Sequence, residues 1–88
     1  MRISNKKREK IIEQILAHLF SVSPRALFTS QIAEEIARDE EFVKILLLET
    51  KNKGLVIEIK KNPKGVPYIR RTRWRLSNTA YLAYNTHQ

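Results

Sequence analysis

The fold is decided by residues 32–56, which read IAEEIARDEEFVKILLLETKNKGLV. Apolar residues recur there every three or four positions, the spacing that gives a helix one buried face. Asp39 precedes two glutamates, and this order predicts the start of a helix, because aspartate caps the free amides and negative charge suits the first turn. Lys51 and Lys53, followed by Gly54, predict its end, since glycine readily adopts the left-handed conformation that closes a helix. The stretch therefore predicts two helices joined by a short turn.

The residues before this stretch predict the rest of a helical core. A first helix is expected up to about residue 22, because its apolar residues recur at helical spacing. Residues 21–28 are predicted as a connection. A second helix is predicted to begin at Thr29 or Ser30, whose hydroxyls can accept from the first-turn amides, and to end at Arg38.

After Gly54 the apolar spacing changes from helical to alternating, which predicts strands. Two strands, at residues 55–60 and 68–76, are predicted to form a long hairpin around a turn at residues 62–65. The buried face of this hairpin is expected to consist of Leu55, Ile57, Ile59, Trp74 and Leu76. Ser77 or Asn78 is then expected to cap a final short helix.

In order and spacing, these elements resemble the winged helix-turn-helix family. The family pattern is found as Ile32-Ala33-x-x-Ile36, six residues, Val43, three residues, Leu47, six residues and Gly54-Leu55-Val56, and later as Trp74-Arg75-Leu76-Ser77. The sequence looks like small regulators of the MarR and ArsR type, and like small winged-helix proteins of archaea and archaeal viruses. The resemblance implies an α+β fold: a three-helix core, a two-stranded β-hairpin wing and a short C-terminal helix.

A chain of 88 residues fits one domain, so a single winged-helix domain is expected over residues 1–88. Its predicted parts are a basic N-terminal arm and the start of the first helix at 1–10, a helix-turn-helix at 29–53, a wing hairpin at 55–77 and a C-terminal helix or tail at 78–88.

The composition argues against catalysis, cofactors and membranes. The chain has no cysteine, which excludes disulfides, zinc fingers and thiol nucleophiles. Its histidines are His18 and His87, far apart in sequence, and its single aspartate is explained as a helix cap. No enzyme, metal or cofactor is therefore expected. The longest apolar run, residues 45–48, is far short of the ~20 residues that span a bilayer, so a cytoplasmic protein is expected.

The net charge of +8 predicts a polyanionic partner, and nucleic acid is the first candidate. Nine basic residues and one acidic residue lie between positions 51 and 76, whereas six acidic and two basic residues lie between 29 and 50. The anion-binding surface is therefore expected to come from the ends of the chain. The candidate DNA-binding residues are Lys6, Lys7, Arg8, Lys44, Lys51, Asn52, Lys60, Lys61, Lys64, Arg70, Arg71, Arg73 and Arg75.

The resemblance implies that the third helix lies in the major groove of double-stranded DNA while the wing follows the adjacent backbone. On the outward positions of that helix, Asn52 can contact adenine, and Lys44 and Lys51 can reach phosphates. Ile45 and Leu48 offer apolar contact with a thymine methyl group. Phosphate contacts from the wing and the N-terminal arm are expected to dominate the affinity.

Two functions of different classes fit these residues. The first is a homodimeric transcriptional regulator that binds double-stranded DNA. Tyr81, Leu82 and Tyr84 of the last helix either form the dimer surface, as the resemblance implies, or cover the core beside the first helix. The alternative is a protein–protein interaction module in a transcription or replication assembly, which docks through Ile45 and Leu48 of the third helix. The fold alone does not decide between them, because winged helices serve both purposes.

Overall fold

The computed structural model of the protein describes residues 5–67 and 71–86. In these residues the helices are α1 (Asn5–Val22), α2 (Thr29–Ile36), α3 (Glu40–Asn52) and α4 (Asn78–Thr86), and the strands are β1 (Leu27–Phe28), β2 (Val56–Ile59) and β3 (Arg73–Leu76). The predicted α+β architecture, with a three-helix core, a wing and a short C-terminal helix, is confirmed.

The sheet has one strand more than predicted. Its order is β1-β3-β2, with both neighbouring pairs antiparallel, and Leu27 of β1 lies opposite Trp74 of β3. β1 falls inside the predicted connection at residues 21–28, and its two residues are too few to show any alternation. This strand leads directly into α2, so it fixes where that helix begins relative to the wing.

The predicted buried face of β2 is wrong. Val56 is buried, whereas Ile57 and Ile59 are only half-buried. The register places Val56 opposite Leu76 and Glu58 opposite Trp74, so the inner face carries those residues and the isoleucines lie on the outer face. β2 has apolar residues on both faces, so its alternation does not show which face is buried.

The wing is less regular than the long predicted hairpin. β3 begins only at Arg73, and residues 68–70 of the predicted strand lie outside the described residues. Near the tip, Lys61 pairs with Pro67 in an isolated bridge. The Asn62 side-chain oxygen accepts from the backbone N–H groups of Lys64 and Val66, at 2.9 and 3.0 Å. A side chain thus holds this turn, as asparagine commonly does.

The ends of α3 follow the prediction. Asp39 Oδ2 accepts from the backbone N–H of Phe42 at 3.1 Å, which caps the helix. At the other end Gly54 has a φ of 77°, and the N–H of Leu55 donates to the carbonyl of Thr50 at 3.0 Å. The third helix is therefore fixed at both ends by local sequence signals.

The start of α2 differs from the prediction. Its N-cap is Phe28 rather than Thr29 or Ser30, and the Gln31 side chain reaches back to accept from the Phe28 N–H at 2.8 Å. The Thr29 hydroxyl is used elsewhere, because it accepts from the indole N–H of Trp74. A long-range contact has therefore replaced the local cap.

The C-terminal end of α2 and the N-terminal end of α4 are also defined by local hydrogen bonds. α2 ends at Ile36, earlier than predicted, because Ala37 adopts a left-handed φ of 55° and the N–H of Arg38 donates to the carbonyl of Ala33 at 3.0 Å. The start of α4 follows the prediction, since Ser77 Oγ accepts from the N–H of Ala80 at 3.1 Å.

The core draws on all four helices and all three strands. Its buried apolar residues are Ile11, Ile15, Leu16, Leu19, Leu27, Ile32, Ala33, Val43, Leu46, Leu47, Val56, Trp74, Leu76 and Ala80. Trp74, expected on the buried face of the hairpin, is fully buried in this one cluster, and so is Val43. One face of α3 therefore packs against the core, and its other face is exposed.

Candidate nucleic-acid interface

A cleft of about 550 Å³ lies where the first turns of α2 and α3 meet the chain leading into β3. It is lined by Phe28, Thr29, Ser30, Glu40, Glu41, Lys44, Arg71 and Thr72. Two candidate residues that are distant in sequence, Lys44 and Arg71, are thus brought to one site. Among the described residues, the buried Oγ1 of Thr72 finds no hydrogen-bond partner.

The cleft carries both signs of charge. Lys44 and Arg71 can donate to phosphate oxygens, and the first-turn amides of α2 add the positive end of the helix dipole. Glu40 and Glu41 line the same cleft and accept hydrogen bonds. A carboxylate repels phosphate but can accept from the amino group of cytosine. The cleft can therefore hold a phosphate group on its basic side and meet a base edge on its acidic side.

Phe28 supports the arginines of the wing. The guanidinium carbon of Arg71 lies 5.6 Å from the centre of the Phe28 ring, and that of Arg73 lies 5.9 Å from it. Both distances are within the range of cation–π attraction. Phe28 therefore restricts where these two guanidinium groups lie, beside the first turn of α2.

A nearly buried carboxylate holds the end of α3 against the wing. Glu58 Oε1 lies 2.9 Å from Lys51 Nζ and 3.9 Å from Lys60 Nζ. The Glu58 side chain is only 7% exposed, whereas that of Lys51 is 42% exposed. Two candidate phosphate-binding lysines therefore share one carboxylate, which lowers the positive charge that they present.

The N-terminal cluster is joined to the same helix. Arg8 of α1 forms an ion pair with Glu49 of α3, and Lys53 Nζ lies 3.9 Å from the other oxygen of that carboxylate. The hydrogen bond from Arg8, followed by the positive charges of Arg8 and Lys53, lowers the pKa of Glu49 despite some desolvation. Lys6 and Lys7 are exposed on the preceding turn of α1. The basic first turn of α1 thus lies beside the C-terminal half of α3.

The remaining candidates are spread over the wing and the end of α3. Lys61 and Lys64 are exposed near the wing tip, and Asn52 is exposed as the last residue of α3. Arg75 is half-buried on β3 and donates from Nη1 to the carbonyl of Leu76 at 3.0 Å. Arg70 lies outside the described residues.

The outward face of α3 is apolar at its centre. Ile45 is 54% exposed and Leu48 is 38% exposed. They stand three residues apart, so both side chains lie on one face of the helix. Lys44 is exposed beside them, and Lys51 is exposed one turn further on.

A second apolar surface lies on α4. The Phe20 ring of α1 packs against Tyr81 and Tyr84, with ring centres 5.3 and 5.5 Å apart. Burial, followed by the negative charge of Glu13, raises the pKa of Tyr84. Leu82 stays 62% exposed. α4 is therefore anchored on α1 by its tyrosines and presents a leucine to the outside.

Other kinds of site find no support in the described part of the chain. Residues 5–67 and 71–86 contain no group of three or more side chains that could hold a metal ion. No helix there is long and apolar enough to cross a membrane.

In three dimensions the protein is similar to bacterial regulators. S. aureus MepR in a DNA-binding conformation superposes with a TM-score of 0.71 at 18% identity, covering 93% of this chain and 61% of MepR. A variant of Lactococcus lactis ZitR in its apo form gives 0.65 at 17% identity, covering 93% and 59%. A MepR variant bound to an oligodeoxyribonucleotide gives 0.65 at 19% identity, covering 93% and 65%.

The chain has the winged-helix fold of MarR-type regulators. It spans about three fifths of the length of the regulators that it matches. In sequence, it matches no model of a protein family and no curated protein. The resemblance to archaeal and archaeal-viral proteins stays a prediction.

Three residues of the candidate interface were not predicted from the sequence: Phe28, Glu49 and Glu58. Phe28 stood in a predicted connection, and Glu49 and Glu58 were counted only as charges within larger segments. The cations that contact Glu49 and Glu58 could not be identified from sequence alone. Arg8, for example, is 41 residues away from Glu49. The position of Glu58 among alternating apolar residues was the one available signal for a carboxylate near the core.

Proposed function

We propose that this winged-helix protein binds double-stranded DNA as a homodimeric transcriptional regulator. The observation that carries the proposal is the cleft in which Lys44 of α3 and Arg71 of the wing meet at the first turn of α2. An ammonium group, a guanidinium group and hydroxyl-bearing first-turn residues together match the oxygen atoms of a DNA phosphate. A phosphate bound there would place α3 beside the bases of the same strand.

The remaining cations extend this surface in two directions. Lys61 and Lys64 lie exposed near the wing tip, and Lys6 and Lys7 lie exposed on α1. Since the net charge is +8, we infer that phosphate contacts from the wing and the N-terminal arm supply most of the affinity. Asn52 at the end of α3 is the polar residue best suited to an adenine edge. MepR, which shares the fold, has been observed bound to an oligodeoxyribonucleotide.

The proposal includes a dimer and excludes catalysis. A second copy would bury the exposed Leu82 of α4 with the neighbouring Tyr81, which is 37% exposed. The described residues provide a basic binding surface, and we propose a role in regulation rather than in an enzymatic reaction. The proposal keeps the cytoplasmic location that the sequence predicts.

A salt series tests DNA binding directly. Binding of a mixed-sequence 24-bp duplex is measured by fluorescence anisotropy between 50 and 300 mM KCl, for the wild type and for Lys44→Ala and Arg71→Ala. Each variant should bind more weakly, and the slope of log K against log salt should fall by about 1 for each phosphate that is no longer bound. Arg25→Ala, which removes a cation outside the cleft, is the matched control. Wild-type protein that does not bind the duplex at 50 mM would refute the proposal.

The exposure of Ile45 and Leu48 favours a second candidate, a module that docks on another protein through α3. This candidate predicts that duplex binding is weak and that it does not depend on Lys44 or Arg71. The same salt series therefore separates the two functions.

A further inference from the structure

We propose that Ile45 and Leu48 read the 5-methyl groups of two adjacent thymines in the major groove, an inference that rests on the proposed DNA binding. The two residues are the large apolar side chains exposed on α3, at 54% and 38%. An exposed apolar pair at the centre of a helix that faces DNA has one apolar target on a base edge, the methyl group of thymine. The protein would therefore prefer sites with neighbouring A·T pairs.

The charges around the pair favour DNA over a protein as its occupant. Lys44 lies beside Ile45 and lines the cleft with Arg71. Cations next to an apolar pair match a groove whose methyl-bearing floor is bordered by phosphates. An apolar patch on a protein partner would not require this border.

The spacing of the two side chains fits successive base pairs. Residues three apart are separated by about 4.5 Å along a helix axis, at about 1.5 Å per residue. Base pairs in DNA are stacked about 3.4 Å apart. Ile45 and Leu48 can therefore meet methyl groups on neighbouring steps when the helix is inclined to the floor of the groove.

Few polar side chains on the exposed face of α3 are placed to contact bases instead of Ile45 and Leu48. The ammonium group of Lys51 is 2.9 Å from Glu58, so it is already engaged at the junction of α3 and the wing. Glu41 accepts hydrogen bonds but repels phosphate, and Asn52 lies at the very end of α3. The centre of the exposed face is thus left to the two apolar side chains.

The test removes the methyl groups from the DNA. Binding of a 24-bp duplex of alternating dA and dT is compared with that of the same duplex carrying dU for every dT, which lacks the methyl groups and keeps every hydrogen-bonding atom. Wild-type protein should prefer the thymine duplex by about fourfold per buried methyl group, the factor that corresponds to about 0.8 kcal/mol. A third duplex of alternating dG and 5-methyl-dC presents the same methyl group at the same place in the major groove, so wild type should bind it more tightly than the duplex with unmethylated dC.

The protein variants assign the preference to the two residues. Ile45→Ala combined with Leu48→Ala should bind both A·T-type duplexes as wild type binds the uracil duplex. Alanine suits a helix, and thermal unfolding checks that the variant is folded. Thr79→Ala changes an exposed residue of α4 that the proposed dimer does not use, and it should keep the preference.

Each other outcome overturns the inference. Equal binding of the thymine and uracil duplexes by wild type shows that no methyl group is read. A preference that survives in the double variant assigns the reading to other residues. Wild type that binds none of the duplexes refutes the proposed DNA binding itself, whereas the first two outcomes leave it standing.

Discussion

The indole Nε1 of Trp74 donates a hydrogen bond of 2.8 Å to the hydroxyl of Thr29, and both residues are buried. The bond joins β3 to the first turn of α2 across 45 positions of sequence. Thr29 and its neighbour Phe28 line the cleft, and so does Thr72 beside β3. A contact within the core thus fixes the α2 wall of the cleft relative to the chain before β3 that carries Arg71.

Replacement of Trp74 by alanine should cost about 3–5 kcal/mol of unfolding free energy, the usual range for a fully buried large aromatic side chain. The cost is large against the ~5–15 kcal/mol of a typical domain. Urea denaturation followed by circular dichroism measures it. Glu35→Ala, at an exposed position of α2, should change the free energy of unfolding far less. A loss below about 1 kcal/mol for Trp74→Ala would contradict its burial at the centre of the sheet.

Replacement of Thr29 by valine keeps the shape of the side chain but leaves the indole N–H of Trp74 buried without an acceptor. The expected cost is about 1–3 kcal/mol. The chain has one tryptophan, so urea denaturation can be followed by its fluorescence. Thr79→Val, at an exposed position of α4, should change stability by less than about 0.5 kcal/mol. Equal effects of the two substitutions would show that the hydrogen bond contributes nothing.

Acid should weaken the tie between α1 and α3. The hydrogen bond from Arg8, together with the charge of Lys53, holds the pKa of Glu49 below its ordinary value of 4.5. A pKa lowered by folding adds stability that is complete above the unfolded value and is lost as the pH falls through the folded value. The free energy of unfolding should therefore fall more steeply below about pH 4.5 in wild type than in Glu49→Gln.

The control for this pH dependence is Glu35→Gln, which neutralises an exposed glutamate of α2. It should keep the acid slope of the wild type. Urea denaturation at several pH values between 3 and 6 provides the comparison. An unchanged slope in Glu49→Gln would contradict a pKa shift caused by Arg8.

The helices and their ends could be predicted where local signals decide them. Asp39 and Gly54 mark the ends of α3 because a cap and a left-handed turn need only residues within one turn of the chain. The start of α2 escaped prediction because Thr29 has two possible partners. The local amide and the indole of Trp74 compete for the same hydroxyl, and only the folded chain brings the indole near.

The charges of the site could be counted but not paired from sequence. The count correctly placed basic residues at the ends of the chain, yet it treated Arg8, Lys51 and Lys60 as available cations. Each of these lies beside a carboxylate in the folded protein. Which cation meets which carboxylate depends on the packing of α1 and β2 against α3, and no local pattern encodes that packing.

The proposed dimer should depend on Leu82. Glutamate at this position would place a charge in the interface, whereas the core next to α4 would be unaffected because Leu82 is 62% exposed. Sedimentation velocity of Leu82→Glu should therefore show monomers at concentrations at which wild type is dimeric. Thr79→Glu adds the same charge to α4 at another exposed position and should leave the dimer intact. A wild type that is monomeric at high concentration would refute the dimer.

Glu58 should limit the affinity for DNA. Its carboxylate lies within 2.9 Å of Lys51 Nζ and 3.9 Å of Lys60 Nζ, so glutamine would release one or both lysines to phosphate. Glu58→Gln should therefore bind a mixed-sequence duplex more tightly at low salt, and its salt slope should be steeper by about 1 for each additional phosphate that a lysine binds. Glu13→Gln makes the same change in net charge on α1, and should leave the slope as in wild type. If both variants tighten binding equally, the gain reflects net charge alone and the ion pair does not restrain Lys51.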